Sequence, residues 1–444
     1  MNKTLNCIMK KILSLLFACF IASMLKAQEH KHVILVTIDG FRPDFYFDNK
    51  WNTPNLKQML KEGVHAYGVN SVFPSVTYPS HTTIVTGVQP ADHGIYFNGV
   101  FEPDNATGKI YWNFNEITSP TIWKAAKSAG LKVASLMWPA SAAAPIDFNI
   151  ADIGSMGEDI REKYAQPQGI MDTIRKEVFP DKEEVKWGED EYNAQVAAWV
   201  IRNKKPNLMT IHLISVDHAE HTVGREGQMV EDAVHEADRS IGIIRQAIKD
   251  AGIADNTLLI VTGDHGFYNV EKSINPNVWL AKAGLLNPQD ESNWKARFFP
   301  VGGAAFLFLR NEHDQQTKKE VLKTLKSLPT ADRKYFDIID AKQLKKIGAN
   351  PHVALALSGL SGAAFGKEVM GDAILAGEGG THGYFPNTRN IQTGFIAVAP
   401  TMKQGVEIKE LDLRDVTVFV KEYLNLDLPT AKGRSSVGYY NAAN

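Results

Sequence analysis

Short apolar runs alternate with amphipathic stretches along most of this chain. Residues 33–38, 133–137, 208–214, 258–262, 306–309 and 395–398 are rich in Val, Ile, Leu and Phe. Each is short enough to be a strand, and several are apolar throughout, as a strand covered on both faces must be. Between them, residues 120–130, 191–202 and 230–252 carry apolar side chains at helical spacing. This alternation predicts an α/β fold with a mostly parallel central sheet covered by helices on both faces. A Lys- and Gly-rich stretch, about 311–378, breaks the pattern and is read as an inserted cap-like subdomain. In open sheets of this kind ligands collect at the C-terminal ends of the strands, so polar residues there deserve the closest reading.

The 444 residues are 44% hydrophobic with a formal charge of −2, so a large core is expected and a nucleic-acid scaffold is not. The N-terminus has its own pattern: Lys3, Lys10 and Lys11 precede the apolar run 12–25, followed by Lys26-Ala27-Gln28. A basic region, a short apolar region and a small residue describe a secretory signal peptide, with cleavage expected after Ala27. An uncleaved anchor, or a lipoprotein signal at Cys19, are the alternatives. Cleavage leaves a catalytic chain 28–444, periplasmic or secreted, with no apolar run of membrane-spanning length. It removes four Lys and no acid, taking the charge to −6, and it removes Cys7 and Cys19, the only cysteines. Disulfides and thiolate chemistry are thereby excluded from the mature protein, and any metal must be held by His and carboxylates.

Several polar clusters sit where strands should end. Asp39-Gly40 follows the first apolar run and reads either as a turn or as a carboxylate facing the crevice. The segment FPSVTYPSHTT, 73–83, enters a helix-like stretch, so its hydroxyls are helix caps or lie where backbone N–H groups favour anions. His81 within it is a helix-start hydrogen bonder or a partner of the site. Asp217 and His221 are four apart after the run 208–214, which places a carboxylate and an imidazole on one helix face; His218 points elsewhere. Gly263-Asp264-His265-Gly266 follows another strand, and His382 lies among glycines. Together these Asp and His residues, with a Thr, suit two zinc-type sites without cysteine. Two ions about 4 Å apart are a usual device for in-line displacement at phosphorus, one activating the nucleophile and the other the leaving oxygen. A threonine hydroxyl needs such activation to attack at neutral pH.

In their order along the chain, DGFRPD, FPSVTYPSHTTIVTG, DHGIYFN, SPTIWKAAKSAGLKVASLMWP, DHAEH, GDHG and THGYFP resemble the nucleotide pyrophosphatase/phosphodiesterase family of the alkaline phosphatase superfamily. The resemblance implies an alkaline phosphatase-like fold and a zinc-dependent phosphodiesterase or nucleotide pyrophosphatase. It implies two Zn2+ per chain, one held by Asp217, His221 and His382, the other by Asp39, Asp264, His265 and the Thr77 oxygen. Thr77 would be the nucleophile that becomes phospho-threonine. Asn98 and the Thr77 backbone N–H would donate to a phosphoryl oxygen. Tyr78 stands where the family often has an aromatic that packs on a nucleobase; it also reads as an ordinary buried tyrosine.

Threonine-dependent phosphomonoesterases of the superfamily usually carry a Lys-x-Arg pair after the strand matching KVASLMW. Here the stretch is WPASAAA, without a cation, which suits a diester. No Cys/Ser-x-Pro-x-Arg of the sulfatases occurs. The family's second base-stacking tyrosine has no counterpart in APIDFN, 144–149, which leaves the expected small-molecule diester open between a nucleotide, a dinucleotide, a phospholipid headgroup and a cell-wall fragment. An alkaline phosphomonoesterase and a catalytically silent binding protein are the alternatives.

Overall fold

The computed structural model of the chain describes residues 31–441, apart from 105–106, 154–155, 183, 291 and 361. The expected signal segment, 1–27, lies outside the described residues. Eight strands form the central sheet: β1 (His32–Ile38), β2 (Val64–Ala66), β3 (Val133–Leu136), β4 (Phe148–Ile150), β5 (Leu208–Leu213), β6 (Thr257–Thr262), β7 (Phe395–Val398) and β8 (Val406–Ile408). Their spatial order is β8-β2-β7-β6-β1-β5-β3-β4, and only β7 runs against the rest.

β1 lies at the centre, and its alternate side chains separate two cores. Ile34, Val36 and Ile38 join the helices α1 (Pro54–Glu62), α4 (Asp190–Lys204) and α6 (Gln228–Asp250). Val33 and Leu35 join α2 (Thr77–Thr86), α3 (Ile122–Ser128) and α7 (Leu413–Leu424) on the opposite face. Both faces being covered is why the run is apolar at nearly every position, and each buried apolar side chain stabilises by roughly 1.5–3 kcal/mol. The expected mostly parallel sheet, doubly covered by helices, is the one found.

A second sheet lies between β6 and β7 in the chain. It is antiparallel, with the strands Ala296–Val301, Ala304–Leu309, Leu355–Gly359 and Phe336–Ile339 in that spatial order. The interval 311–378 therefore supplies two of its four strands, and the run 306–309 belongs here rather than to the central sheet. A four-residue apolar run carries no information about its partner, and the tight Gly302-Gly303 turn pairs it with the preceding strand. One face packs with Trp279, Val321 and Leu325. The other packs Ala304, Phe306 and Ala356 against Phe73 and Phe97, which lie just before Thr77 and Asn98 in sequence. This second sheet thus packs against the two segments that carry Thr77 and Asn98. Among the described residues no helix is long and apolar enough to cross a membrane.

Candidate active site

The strand ends deliver the expected residues to one place. β1 stops at Asp39, whose N–H donates to Leu213 O (2.8 Å), while Gly40 N–H donates to Asp264 Oδ1 (3.2 Å) just past β6. Gly40 has φ +71, and a Cβ there would meet Glu220 Oε2 at 2.8 Å, so both the turn and the close approach require glycine. The helix α5 (Ser215–Val223) carries Asp217 and His221 one turn apart, as their spacing predicts. His382 follows the short strand Gly380–Thr381, which pairs with Tyr268–Asn269 beyond His265.

Two groups of ligand atoms result. His221 Nε2 lies 3.4 Å from Asp217 Oδ1 and 3.1 Å from His382 Nε2, and His382 Nε2 lies 3.5 Å from Asp217 Oδ1. His265 Nε2 lies 3.3 Å from Asp39 Oδ1 and 3.1 Å from Asp264 Oδ2. The His265 and His382 rings stack at 3.6 Å, so the groups share a wall. Asp217 also falls within 4.8 Å of the Asp39 and His265 ligand atoms, between the two. His218 belongs to neither group.

These residues fit metal. Ligand atoms about 2.0–2.1 Å from a tetrahedral zinc are about 3.3 Å apart, close to every separation above. The tautomers agree: His221 Nδ1–H donates to Gly380 O (3.0 Å) and His382 Nδ1–H to Ser75 O (3.0 Å). Both Nε2 lone pairs then face each other at 3.1 Å, a repulsive contact that a cation between them turns into attraction. Asp39 Oδ1, Asp217 Oδ1, Asp264 Oδ2 and His265 Nε2 are buried without a hydrogen-bond partner.

The protonation balance points the same way. Burial, and then the Asp217 charge, pushes Asp39 well above the usual carboxylate range; burial and the Asp39 charge do the same to Asp264, and burial raises Asp217. Burial and neighbouring imidazoles hold His265 far down and bring His382 to about 3. Carboxylates that resist ionising beside imidazoles that resist protonating lack a positive charge, and a divalent cation supplies it.

Thr77 opens α2, preceded by extended Val76 and with no side chain capping the helix. The cap reading of the 73–83 hydroxyls thus does not apply to its start. His81 Nδ1–H donates to Thr77 O (2.8 Å) and lies 3.6 Å from Asp264 Oδ2, which ties the Thr77 backbone to the acidic cluster. Asn98 Oδ1 accepts the Tyr78 N–H (2.9 Å), leaving its Nδ2 donors to other partners. Tyr78 is 9% exposed and packed with Ile95 and Ala140, and burial, then the Asp152 charge, pushes its hydroxyl pKa up. The wall 137–144 contains no cation, and Met137, Ala140 and Ala143 all have positive φ.

Other residues at the site had no assigned role in sequence. His212, within the β5 run, sits between Asp39 Oδ2 (3.1 Å) and Met137 O (3.1 Å). Its signal was a histidine in an apolar central strand, which must find polar partners. Glu220, in DHAEH, is buried against Arg42 of DGFRPD, Oε1 to a guanidinium nitrogen 2.9 Å away. Arg42 also donates to Asp44 Oδ2 (2.9 Å) and Arg225 O (2.8 Å), and its guanidinium lies 4.5 Å from the Phe45 ring centre. This pair fastens the turn after β1 to α5. Arg42→Met is expected to destabilise the fold by about 3–5 kcal/mol, because Glu220 is left buried without its counter-charge. Denaturant unfolding checks this: the double variant Arg42→Met/Glu220→Gln should recover most of the loss, and an unchanged single variant would contradict the pairing.

A mostly parallel, doubly covered sheet with acids and imidazoles gathered at its strand ends is an alkaline phosphatase-like α/β fold. Known proteins agree. The sequence profile described as type I phosphodiesterase/nucleotide pyrophosphatase matches residues 33–384. The chain belongs to that family and is a hydrolase of phosphodiester and pyrophosphate bonds. It is 27% identical over 411 residues to ectonucleotide pyrophosphatase/phosphodiesterase family member 7 of Mus musculus, covering 90% of this chain and 84% of that protein. The solved human family member 5 superposes with a TM-score of 0.66 at 20% identity, over 92% of this chain and 98% of that one. The murine member 5, an inactive threonine-to-alanine variant in complex with AMP, superposes with a TM-score of 0.64 at 22% identity, over 91% of this chain and 97% of that one. At these identities the structures speak for the fold.

Proposed function

We propose that this chain is an exported, two-zinc phosphodiesterase/nucleotide pyrophosphatase that works through a phospho-threonine on Thr77. The observation that carries the proposal is the convergence of Asp39, Asp217, Asp264, His221, His265 and His382, with orphaned ligand atoms at metal-like separations. Asp217, His221 and His382 would hold one ion; Asp39, Asp264, His265 and the Thr77 oxygen would hold the other. Zinc bound there would activate the Thr77 hydroxyl and neutralise the charge that develops on the leaving oxygen.

The chain's own residues would do the rest. Thr77 Oγ1 gives up its proton to solvent and attacks phosphorus while the bond to the leaving oxygen breaks on the opposite side; the phosphoryl group stays on Thr77 with its remaining ester, and water then cleaves the Thr77 O–P bond, releasing the phosphomonoester and restoring the hydroxyl. Asn98, turned by the Tyr78 N–H bond to its Oδ1, has Nδ2 available for a phosphoryl oxygen, and the Thr77 N–H at the start of α2 is a second donor. Tyr78 enters this reading as part of the pocket wall, where only its uncovered edge meets a ligand. The cation-free wall 137–144 suits the second ester group of a diester better than the extra charge of a monoester. AMP in the murine relative makes a nucleoside monophosphate moiety the first ligand to try. Export rests on residues 1–27 and predicts a mature protein beginning at Gln28, which N-terminal sequencing of the exported product reads directly.

The test is kcat/KM for p-nitrophenyl-TMP against p-nitrophenyl phosphate with zinc-loaded protein at mildly alkaline pH. A diester preference of at least about tenfold, roughly 1.4 kcal/mol in the barrier, is expected. A monoester preference would give the site to the phosphomonoesterase reading.

A further inference from the structure

Asp190 is a buried carboxylate that the proposed chemistry does not use. It is the first residue of α4, and its side chain reaches across to the start of α5. Its Oδ1 accepts the N–H of Ile214 at 2.7 Å and of Ser215 at 3.3 Å, and its Oδ2 lies 3.4 Å from the same Ser215 nitrogen. α5 is nine residues long, and no side chain of its own caps it. Its opening N–H groups are thus served by a residue 24 positions away in sequence. α4 also lacks a side-chain cap, so two helix N-termini, each with partial positive charge, converge on one carboxylate. α5 presents Asp217 and His221, two ligands of the proposed first zinc site, within its first two turns.

We infer that Asp190 is a positioning residue for that zinc site: by capping α5 from α4 it fixes the rise and rotation of the helix that presents Asp217 and His221. This rests on the two-metal reading above. An error of a few tenths of an ångström at the helix start passes directly to Asp217, because a short helix turns as a unit. Outer partners of metal ligands typically carry about 10–100-fold in metal affinity. Asp190 acts one step further back, through the backbone, so its effect falls more on the Asp217 site than on the Asp39–Asp264–His265 group, which β1 and β6 also hold.

Asp238 provides the control. It is also a buried carboxylate that accepts N–H groups from the start of another helix, Asn55 (3.1 Å) and Leu56 (2.9 Å) of α1, but α1 carries no ligand. The experiment takes the zinc-loaded chain, wild type, Asp190→Ala, Asp190→Asn and Asp238→Ala. Zinc retained per chain is measured against chelators of graded affinity, and Tm in parallel. Asp190→Ala is expected to weaken one of the two zinc ions by about 10-fold or more, with the other retained. Asp190→Asn, which keeps the acceptor for Ile214 but sets an amide donor against Ser215 N–H, should lose less at the same site. Asp238→Ala should lower Tm and hold both ions as the wild type does. Equal zinc retention in Asp190→Ala and Asp238→Ala overturns the inference, leaving Asp190 a structural cap. If Asp190→Ala does not fold, Asp190→Asn decides: weaker retention of one ion supports the inference, and wild-type retention of both overturns it. A wild type that holds no ion at the Asp217 site would instead bring down the two-metal reading, and with it this role.

Discussion

Thr77→Ala is expected to lower kcat on a diester by about 10⁴-fold or more, the scale seen when a nucleophile is removed from a working site. Little else should change, because Thr77 contributes little to the fold through its hydroxyl. α2 begins without a side-chain cap, Asn98 binds the Tyr78 N–H rather than the threonine, and the buried helix is held from outside by Thr417, which donates to Ile84 O at 2.7 Å. Were the hydroxyl a cap, alanine would cost about 1 kcal/mol of stability; with no cap to lose, Tm should stay near that of the wild type. The proposed metal site of Asp217, His221 and His382 should remain loaded, since these residues are untouched. Thr77→Ser should keep a nucleophilic oxygen and recover much of the rate, and acid-quenched turnover analysed by mass spectrometry should place the phosphoryl group with its remaining ester on residue 77 in wild type and Ser variant only. An alanine variant within about tenfold of wild-type kcat would remove Thr77 as nucleophile.

The sequence disclosed those parts of the molecule that repeat at short range. β1, β5 and β6 are apolar at nearly every position because both faces are covered, and that pattern needs no knowledge of partners. Asp217 and His221 were visible because four residues is one helical turn. The short strands Val64–Ala66 and Val406–Ile408, at one side of the sheet, were not, since three residues carry no period and their pairing is decided by chain segments far apart. The same holds for Ala296–Val301, whose Pro300 argues against a central strand yet suits the edge position it occupies. Within the site, Asp39, Asp264, His265 and His382 were legible from family resemblance and glycine-flanked strand ends. His212, Glu220 and Asp190 were not, because their roles lie in contacts across 173, 178 and 24 positions of chain. A buried acid announces itself only once its counter-charge or N–H donors are seen.

Chelating the metal is expected to abolish turnover and to lower Tm, with the gap between loaded and stripped protein wider at about pH 8 than at about pH 5.5, because bound metal displaces protons from its ligands. The sign follows from each ligand. Asp39, Asp217 and Asp264 have folded-state values raised above the ordinary 3.8, mainly by burial. In the stripped protein each therefore favours its protonated form; the stability this gives is present at low pH and is lost as pH rises through the raised value. His265 and His382 are depressed below the ordinary 6.5, His382 to about 3, mainly by burial. For an imidazole the stability is present above 6.5 and is lost as pH falls toward the depressed value. At alkaline pH the stripped cluster thus holds carboxylates forced to ionise with only neutral imidazoles around them, and a divalent cation relieves most strain there. At mildly acid pH protons compete for the raised carboxylates, while His265 and His382 stay neutral, and the cation gains less. At a thousandfold excess over Kd, binding to the folded state alone is worth about 4 kcal/mol, enough for a clear calorimetric shift. Scanning calorimetry with and without chelator at the two pH values measures the gap directly. A gap that is flat, or that narrows toward alkaline pH, would mean that these carboxylates do not give up protons to a metal, and the cluster could no longer be the catalytic centre.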